Sequence, residues 1–277
     1  YSSAIFSLLY FPSLLGLAYV FMGLIIQEQC VIVDHNCPDW LITQSEGNPT
    51  IDYTDGLKVY AIFKRQFLSG KRRRNRKQRQ LGDNCPLIYA LKKKDDLYTN
   101  ISSIKKLNDS FKIICNKLME LEPKGYQLII SMPSAHNISP IIAKRLAKKF
   151  NATYLTDILR KITVDNAFQL LDKADINIEE AKSLSFKIKL QAKEVGLKGG
   201  FSLKSIPTEF RNIFPPFVLN TQASSNTEKI RILLVDDLMA TGTTLTTARD
   251  IIAQQYPNAI IHAICLFSSI KKQNKKT

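Results

Sequence analysis

A continuous apolar run, Ile232 to Val235, delivers two adjacent carboxylates, Asp236 and Asp237, into a stretch of small and hydroxylated residues, after which a helical pattern begins at Thr244. Few folds tolerate that order. A short run without polar alternation reads as a strand buried on both faces. Asp236 to Thr243 reads as a loop, Thr244 to Gln255 as a helix and Ala259 to Phe267 as a second strand. Strand, helix, strand in succession implies a parallel sheet with helices on both faces.

The chain upstream shows the same alternation. Gln127 to Ser131 is a short apolar run ended by Pro133. A helix follows, with Asn137 or Ser139 available as cap and Pro140 in its first turn. Ile141, Ile142, Leu146 and Phe150 mark its apolar face, and Lys144, Arg145, Lys148 and Lys149 its polar one. Thr153 to Leu155 reads as a strand and Ile178 to Val195 as a helix, and Gly199-Gly200 turns the chain toward a short strand near Phe201 to Leu203. The expected fold class is α/β, a central and mostly parallel sheet with helices on both faces, plus an irregular N-terminal segment. Residues 1–27 form a hydrophobic segment, 28–84 a polar and basic region or linker, and 85–277 the domain that holds the site.

In an open parallel sheet the ligand crevice lies beyond the carboxyl ends of the strands, where Asp236 and Asp237 emerge. The next helix turns its unpaired amides and the positive end of its dipole toward the same crevice. A phosphate suits that place. Gly242 lets the backbone come close to the anion, and the hydroxyls of Thr241, Thr243 and Thr244 add hydrogen bonds. Carboxylates repel a phosphate set against them but accept hydroxyl donors well. The pattern therefore specifies a sugar phosphate, acids to the ribose and loop to its phosphate. The plainer account is a capped turn at an ordinary helix start, yet one cap needs one such residue and not the whole set.

These residues resemble the phosphoribosyl-diphosphate signature of the type I phosphoribosyltransferases. Other segments resemble the ComF-like, competence-associated subgroup. Ile129-Ile130-Ser131-Met132-Pro133 is similar to the strand and Pro-containing turn that open its core, and Leu159-Arg160-Lys161 with Gln169 to its Arg and Gln segment. Gly200-Phe201 is similar to its Gly-x-Phe strand entry, and Tyr89-Ala90-Leu91-Lys92 to its upstream Lys-bearing segment. The resemblance implies a type I phosphoribosyltransferase-like fold, binding of phosphoribosyl diphosphate with Mg²⁺, and transfer of the phosphoribosyl group to a nitrogenous base. It assigns Asp236 and Asp237 to catalysis through the ribose hydroxyls, and Ala240, Thr241, Gly242, Thr243 and Thr244 to the 5′-phosphate. Ser131, Met132, Pro133, Ser134 and Ala135 take the pyrophosphate, and Arg160 or Lys161 approaches the diphosphate. Mg²⁺ enters through the diphosphate, with no direct protein ligand.

The chain departs from the subgroup in two places. It has no four-cysteine zinc module, and His136-Asn137-Ile138-Ser139 stands where the subgroup carries Arg-Gly-Phe-Asn-Gln. The alternative is thus a non-catalytic nucleotide-binding regulator, or a protein associated with DNA uptake.

The formal charge of +15 is unevenly spread. Residues 1–57 hold six acids and no Lys or Arg, whereas Lys71 to Arg79 packs seven cations into nine residues. That run could attract nucleic acid or anionic lipid, but no aromatic side chain interleaves it to stack on bases, which favours the plainer reading of a solvated loop. Residues 4–26 are uncharged and long enough to cross a bilayer, a candidate anchor without nearby cations to orient it. Five irregularly spaced cysteines give neither a disulfide framework nor a zinc module, and they suit a reducing cytoplasm. Cys30, His35 and Cys37 lie close together but lack a fourth metal ligand. The expected partners are phosphoribosyl diphosphate or a nucleotide, nucleic acid through Lys71 to Arg79, a membrane through residues 4–26, and a second copy of the chain in a homodimer. The expected location is the cytoplasm, or the membrane surface if residues 4–26 anchor the chain.

Overall fold

Branched and aromatic side chains favour pleated surfaces, and the apolar runs become strands in the computed structural model, which describes residues 23–37, 48–64, 85–220 and 227–268. The strands are β1 (Gly23–Gln27), β2 (Cys30–Asp34), β3 (Thr50–Thr54), β4 (Leu57–Lys64), β5 (Leu128–Ser131), β6 (Thr153–Leu155), β7 (Leu159–Lys161), β8 (Phe217–Leu219), β9 (Arg231–Met239) and β10 (Ile260–Ser268). The helices are α1 (Pro86–Leu91), α2 (Ile101–Leu121), α3 (Ile138–Phe150), α4 (Val164–Asp172), α5 (Ile178–Val195) and α6 (Thr243–Gln255). Six strands make the central sheet in the order β3-β4-β10-β9-β5-β6. All neighbours run parallel except the edge strand β3, which is antiparallel to β4.

Strand β9 lies inside this sheet. Its Ile232 and Leu234 share a buried cluster with Leu245, Ala248 and Ile252 of α6, while Leu233 and Val235 share another with Ile114 and Leu118 of α2 and Ile142 and Leu146 of α3. Helices therefore cover both faces, as the continuous apolar run requires. Burying each of these four strand residues contributes about 1.5–3 kcal/mol, enough to hold the strand in place although two acids follow them in it.

Several expectations are corrected. Strand β9 continues to Met239 in its ladder with β10, so Asp236 and Asp237 belong to the strand and the loop shrinks to residues 240–242. No strand forms at Phe201 to Leu203. The Ser202 amide and carbonyl are taken by the Gln191 side chain, and Leu203–Ser205 is a 3-10 turn. Ile141 is exposed, although Ile142 and Leu146 beside it are buried. The stretch 28–84, expected as a polar and basic region or linker, supplies β2, β3 and β4. Asp55-Gly56 is the hairpin turn between the last two, with φ of 48° and 74°, the geometry that an Asp-Gly pair favours. Val59 to Phe63 are buried in the sheet.

Gly23 to Ile26, the end of the apolar stretch 4–26, lie in β1 and pair with β2. Residues 1–22 and the basic run Lys71 to Arg79 fall outside the described residues. Among the described residues no helix is long and apolar enough to cross a membrane.

Between β6 and β9 the chain builds a lobe. β7 and β8 pair antiparallel, and α4 and α5 pack around a third cluster that includes Ile162, Val164, Leu184, Ile188 and Phe214. Capping boxes, Thr163 with Asn166 and Asn177 with Glu180, start the two helices. Leu159 and Phe217 of the β7–β8 ribbon join the same cluster as Met132, Met239 and Leu245, which seats the lobe beside the strand ends.

The opposite end of the sheet is locked by one buried carboxylate. Glu122, just past α2, pairs with Lys58 of β4 at 2.8 Å and with Arg231 of β9, and accepts a hydrogen bond from the Tyr60 hydroxyl. Burial works to raise the Glu122 carboxyl, but the Lys58 and Tyr60 contacts outweigh it and hold it below the usual value. His262 lies 3.6 Å from the same carboxylate and accepts or donates at 2.9 Å with the Tyr126 hydroxyl. Burial keeps its imidazole below the usual histidine value.

Candidate functional site

The acid pair stands at the carboxyl end of an inner strand. Asp237 is only 5% exposed, and its Oδ2 lies 2.7 Å from Nζ of Lys92, the residue that closes α1. Asp236 is half-buried, and its Oδ1 accepts from the Asp237 amide at 2.8 Å. Its carboxyl is pushed up to about 6, first by burial and then by the like charge of Asp237. The Asp237 amide, Lys92 and the Ser139 hydroxyl act the other way without offsetting that rise. Cys265, opposite Asp236 in the ladder, is fully buried. Burial and the two acids hold its thiol well above the usual value, so it stays protonated and inert. Two neighbouring carboxylates thus have unlike environments, one clamped by a cation and one short of counter-charge.

Past Met239 the chain exposes Ala240 and Thr241, turns at Gly242 with φ of 85°, and enters α6 at Thr243. Gly242 meets a second demand. A Cβ there would lie 2.6 Å from Cγ2 of Thr54, because the β3–β4 hairpin closes against the loop. Arg249 of α6 secures this contact through the Asp55 carbonyl and carboxylate. Gly242 is consequently buried, and the solvent side of the loop is formed by Ala240, Thr241, Thr243 and Thr244, with the Thr241 and Thr243 hydroxyls 3.1 Å apart. The first amides of α6 have no partner within the helix. An anion placed there is favoured by about 0.3–1 kcal/mol from the dipole alone.

The turn after β5 leaves the sheet beside these residues. Ser131 pairs with Val235, and the Met132 amide donates to the Val235 carbonyl at 2.8 Å. Ser131 Oγ is 2.8 Å from the Tyr154 hydroxyl, Met132 is buried, Pro133 is half-buried, and Ser134 and Ala135 are exposed. Ser134 Oγ accepts from the His136 amide at 3.2 Å. Asn137 precedes α3, but its side chain makes no capping bond. The two loops and the acid pair are thereby brought together.

Arg160 and Lys161 stand on β7 in the ribbon, where Arg160 Nη1 donates to Asn166 Oδ1 at 2.6 Å and so serves the cap of α4, while Lys161 is exposed. Gln169 bonds Asp165 on its own helix. Among the described residues no group of His, Cys, Asp or Glu is arranged to hold a metal ion. His35 Nε2 instead meets Ser110 Oγ at 3.1 Å, and Cys37 Sγ faces the Leu24 carbonyl. Sequence reasoning passes over the chemical roles of Lys92, Ser139, Tyr154 and Thr54 around this site. Lys92 carries a faint signal as the last residue of the Tyr89 to Lys92 segment, whereas the other three carry none.

Residues 141–277 match the family model of the phosphoribosyl transferase domain. The fold is of the type I phosphoribosyltransferase kind. The matched span contains both acids and the Ala240 to Thr244 loop and begins within α3, after the Ser131 to Ala135 turn. Among solved structures, the crystal structure of TT1426 from Thermus thermophilus is matched over 57% of this chain and 83% of that one, at 15% identity and a TM-score of 0.29. No curated protein matches the chain.

Proposed function

We propose that this phosphoribosyltransferase-fold chain binds phosphoribosyl diphosphate with Mg²⁺ and transfers the phosphoribosyl group to a nitrogenous base, as a ComF-like member of the superfamily. The observation that carries the reading is the acid pair at the end of an inner strand, flanked by the loop that opens α6 and the turn that precedes α3. In the reaction a base nitrogen bonds to the anomeric carbon while the bond from that carbon to the diphosphate oxygen breaks, and pyrophosphate leaves with the electron pair. Positive charge gathers on the ribose ring, so a fixed carboxylate near its hydroxyls stabilises the transition state. Asp236 is the acid free to accept those hydroxyls, because Asp237 is paired with Lys92. Ala240, Thr241, Thr243 and Thr244 line the place for the 5′-phosphate, and the exposed Ser134 and Ala135 that for the pyrophosphate.

When bound with the diphosphate, Mg²⁺ neutralises the departing charge. One uncommitted carboxylate suits an ion held mainly by the oxygens of the ligand and by water, and not an all-protein cage.

A second reading, ligand binding without turnover, is favoured by one observation: Arg160, one of the two cations expected at the diphosphate, is tied to Asn166. Calorimetric titration with phosphoribosyl diphosphate, with and without Mg²⁺, tests both readings, and pyrophosphate release with a panel of purine and pyrimidine bases separates them. Binding with release supports the transferase. Binding without release supports the regulator, and salt-sensitive single-strand binding would add the nucleic-acid role of Lys71 to Arg79. No binding refutes both.

A further inference from the structure

The contact between Lys92 and Asp237 divides the acid pair. Helix α1 buries Leu87, Ile88 and Ala90, which fixes the point where Lys92 leaves it. The Lys92 side chain is 15% exposed, and its ammonium stands 2.7 Å from Asp237 Oδ2. That oxygen is buried and takes no other partner among the described residues. The negative end of the α1 dipole adds a reason for a cation to rest there.

We propose that Lys92 is a positioning residue, which locks the carboxylate of Asp237 and leaves Asp236 as the single acid presented to the ribose hydroxyls. This inference rests on the ligand proposed above. The groups facing Asp236 are Asp237 on its own strand, Lys92 from α1, Cys265 from β10 and the Ser139 hydroxyl from α3, and Lys92 is the one cation among them. If Lys92 were neutral, the like charges of two carboxylates on successive residues would repel with no cation to offset them, and one would hold its proton to higher pH. The acceptor that remains would be less charged and less well aimed.

The test follows the Asp236 carboxyl by carbon-13 NMR in the ligand-free full chain, for the wild type, Lys92→Gln, Lys92→Arg and Asp237→Asn. Lys92→Gln is expected to raise the Asp236 midpoint by on the order of one unit, and Lys92→Arg to restore it. Asp237→Asn, which removes the like charge, is expected to lower it. In parallel calorimetry, Lys92→Gln should weaken phosphoribosyl diphosphate binding on the order of tenfold or more, with recovery in Lys92→Arg. An Asp236 midpoint unmoved in Lys92→Gln, beside a wild type that binds, overturns the inference and leaves the proposed function standing. A midpoint that moves as expected in a wild type that binds no phosphoribosyl diphosphate overturns the function and supports the role of Lys92 in dividing the pair.

Discussion

Replacing Asp236 with Asn separates what the site costs from what it does. In the folded chain the carboxyl is raised from 3.8 to about 6, and a shift of about 2 units corresponds to about 3 kcal/mol between the two protonation states. The raised value means that the folded chain holds the proton more tightly than the unfolded one. This contribution favours folding fully below pH 3.8 and is lost as the pH climbs through about 6. At pH 7 the ionised acid is therefore a burden on the fold, and Asn removes it while its Oδ1 keeps the bond from the Asp237 amide. Asp236→Asn is expected to stabilise the chain by about 1–3 kcal/mol at pH 7, the lower end allowing for an amide NH₂ that must find a partner. At about 2–4 °C per kcal/mol for a chain of this size, the gain is visible in thermal melts and in urea denaturation followed by circular dichroism. The advantage should shrink as the pH falls from 7 and vanish near 4, while phosphoribosyl diphosphate binding is lost at every pH. A variant less stable than wild type at pH 7, or a stability gap that ignores pH, refutes the account of a carboxylate held against its own solvation. Undiminished binding refutes its role with the ligand.

Gly242→Ala places a Cβ 2.6 Å from Thr54 Cγ2 at a φ of 85°. A loss of about 1–2 kcal/mol from the backbone alone is expected in urea denaturation, with a further clash term that Thr54→Ala relieves. Equal losses in both backgrounds would exclude the Thr54 contact as a cause. Glu122→Gln leaves Lys58 and Arg231 without their shared carboxylate and should cost about 3–5 kcal/mol. Since the Glu122 carboxyl is held below its usual value, the wild-type advantage is present above the unfolded value and should fade as the pH drops through the acid range. A pH-independent difference would contradict the ion-pair account.

The inner strands are legible in the sequence because a strand buried on both faces must be apolar at every position, and Ile232 to Val235 and Leu128 to Ile130 leave no polar face to expose. The hairpin of β3 and β4 is harder to read. β3 is an edge strand whose residues alternate between half-buried and exposed, so Thr50, Asp52 and Thr54 look like linker composition, and the Asp55-Gly56 turn is as common in loops as in hairpins. The end of β9 misleads for a related reason. Carboxylates disfavour strands by propensity, and it is the ladder with β10, a partner brought in through α6, that keeps Asp236 and Asp237 extended. Arg160 shows the limit for single residues, since a cation on a short strand carries no mark of whether it faces a ligand or the Asn166 that caps the next helix.

The amino-acid sequence by itself determined that an apolar strand brings two acids to a helix start, because hydrophobic periodicity and the need for a small-residue turn are properties of neighbouring positions. Which cation answers those acids was decided only by tertiary structure. Lys92, Lys93 and Lys94 are the same in chemistry, and the packing of α1 on the core puts the first of them 2.7 Å from Asp237 while the other two remain exposed. The demand of Thr54 on Gly242 arises in the same way, from segments far apart in the chain that meet only once the sheet has formed.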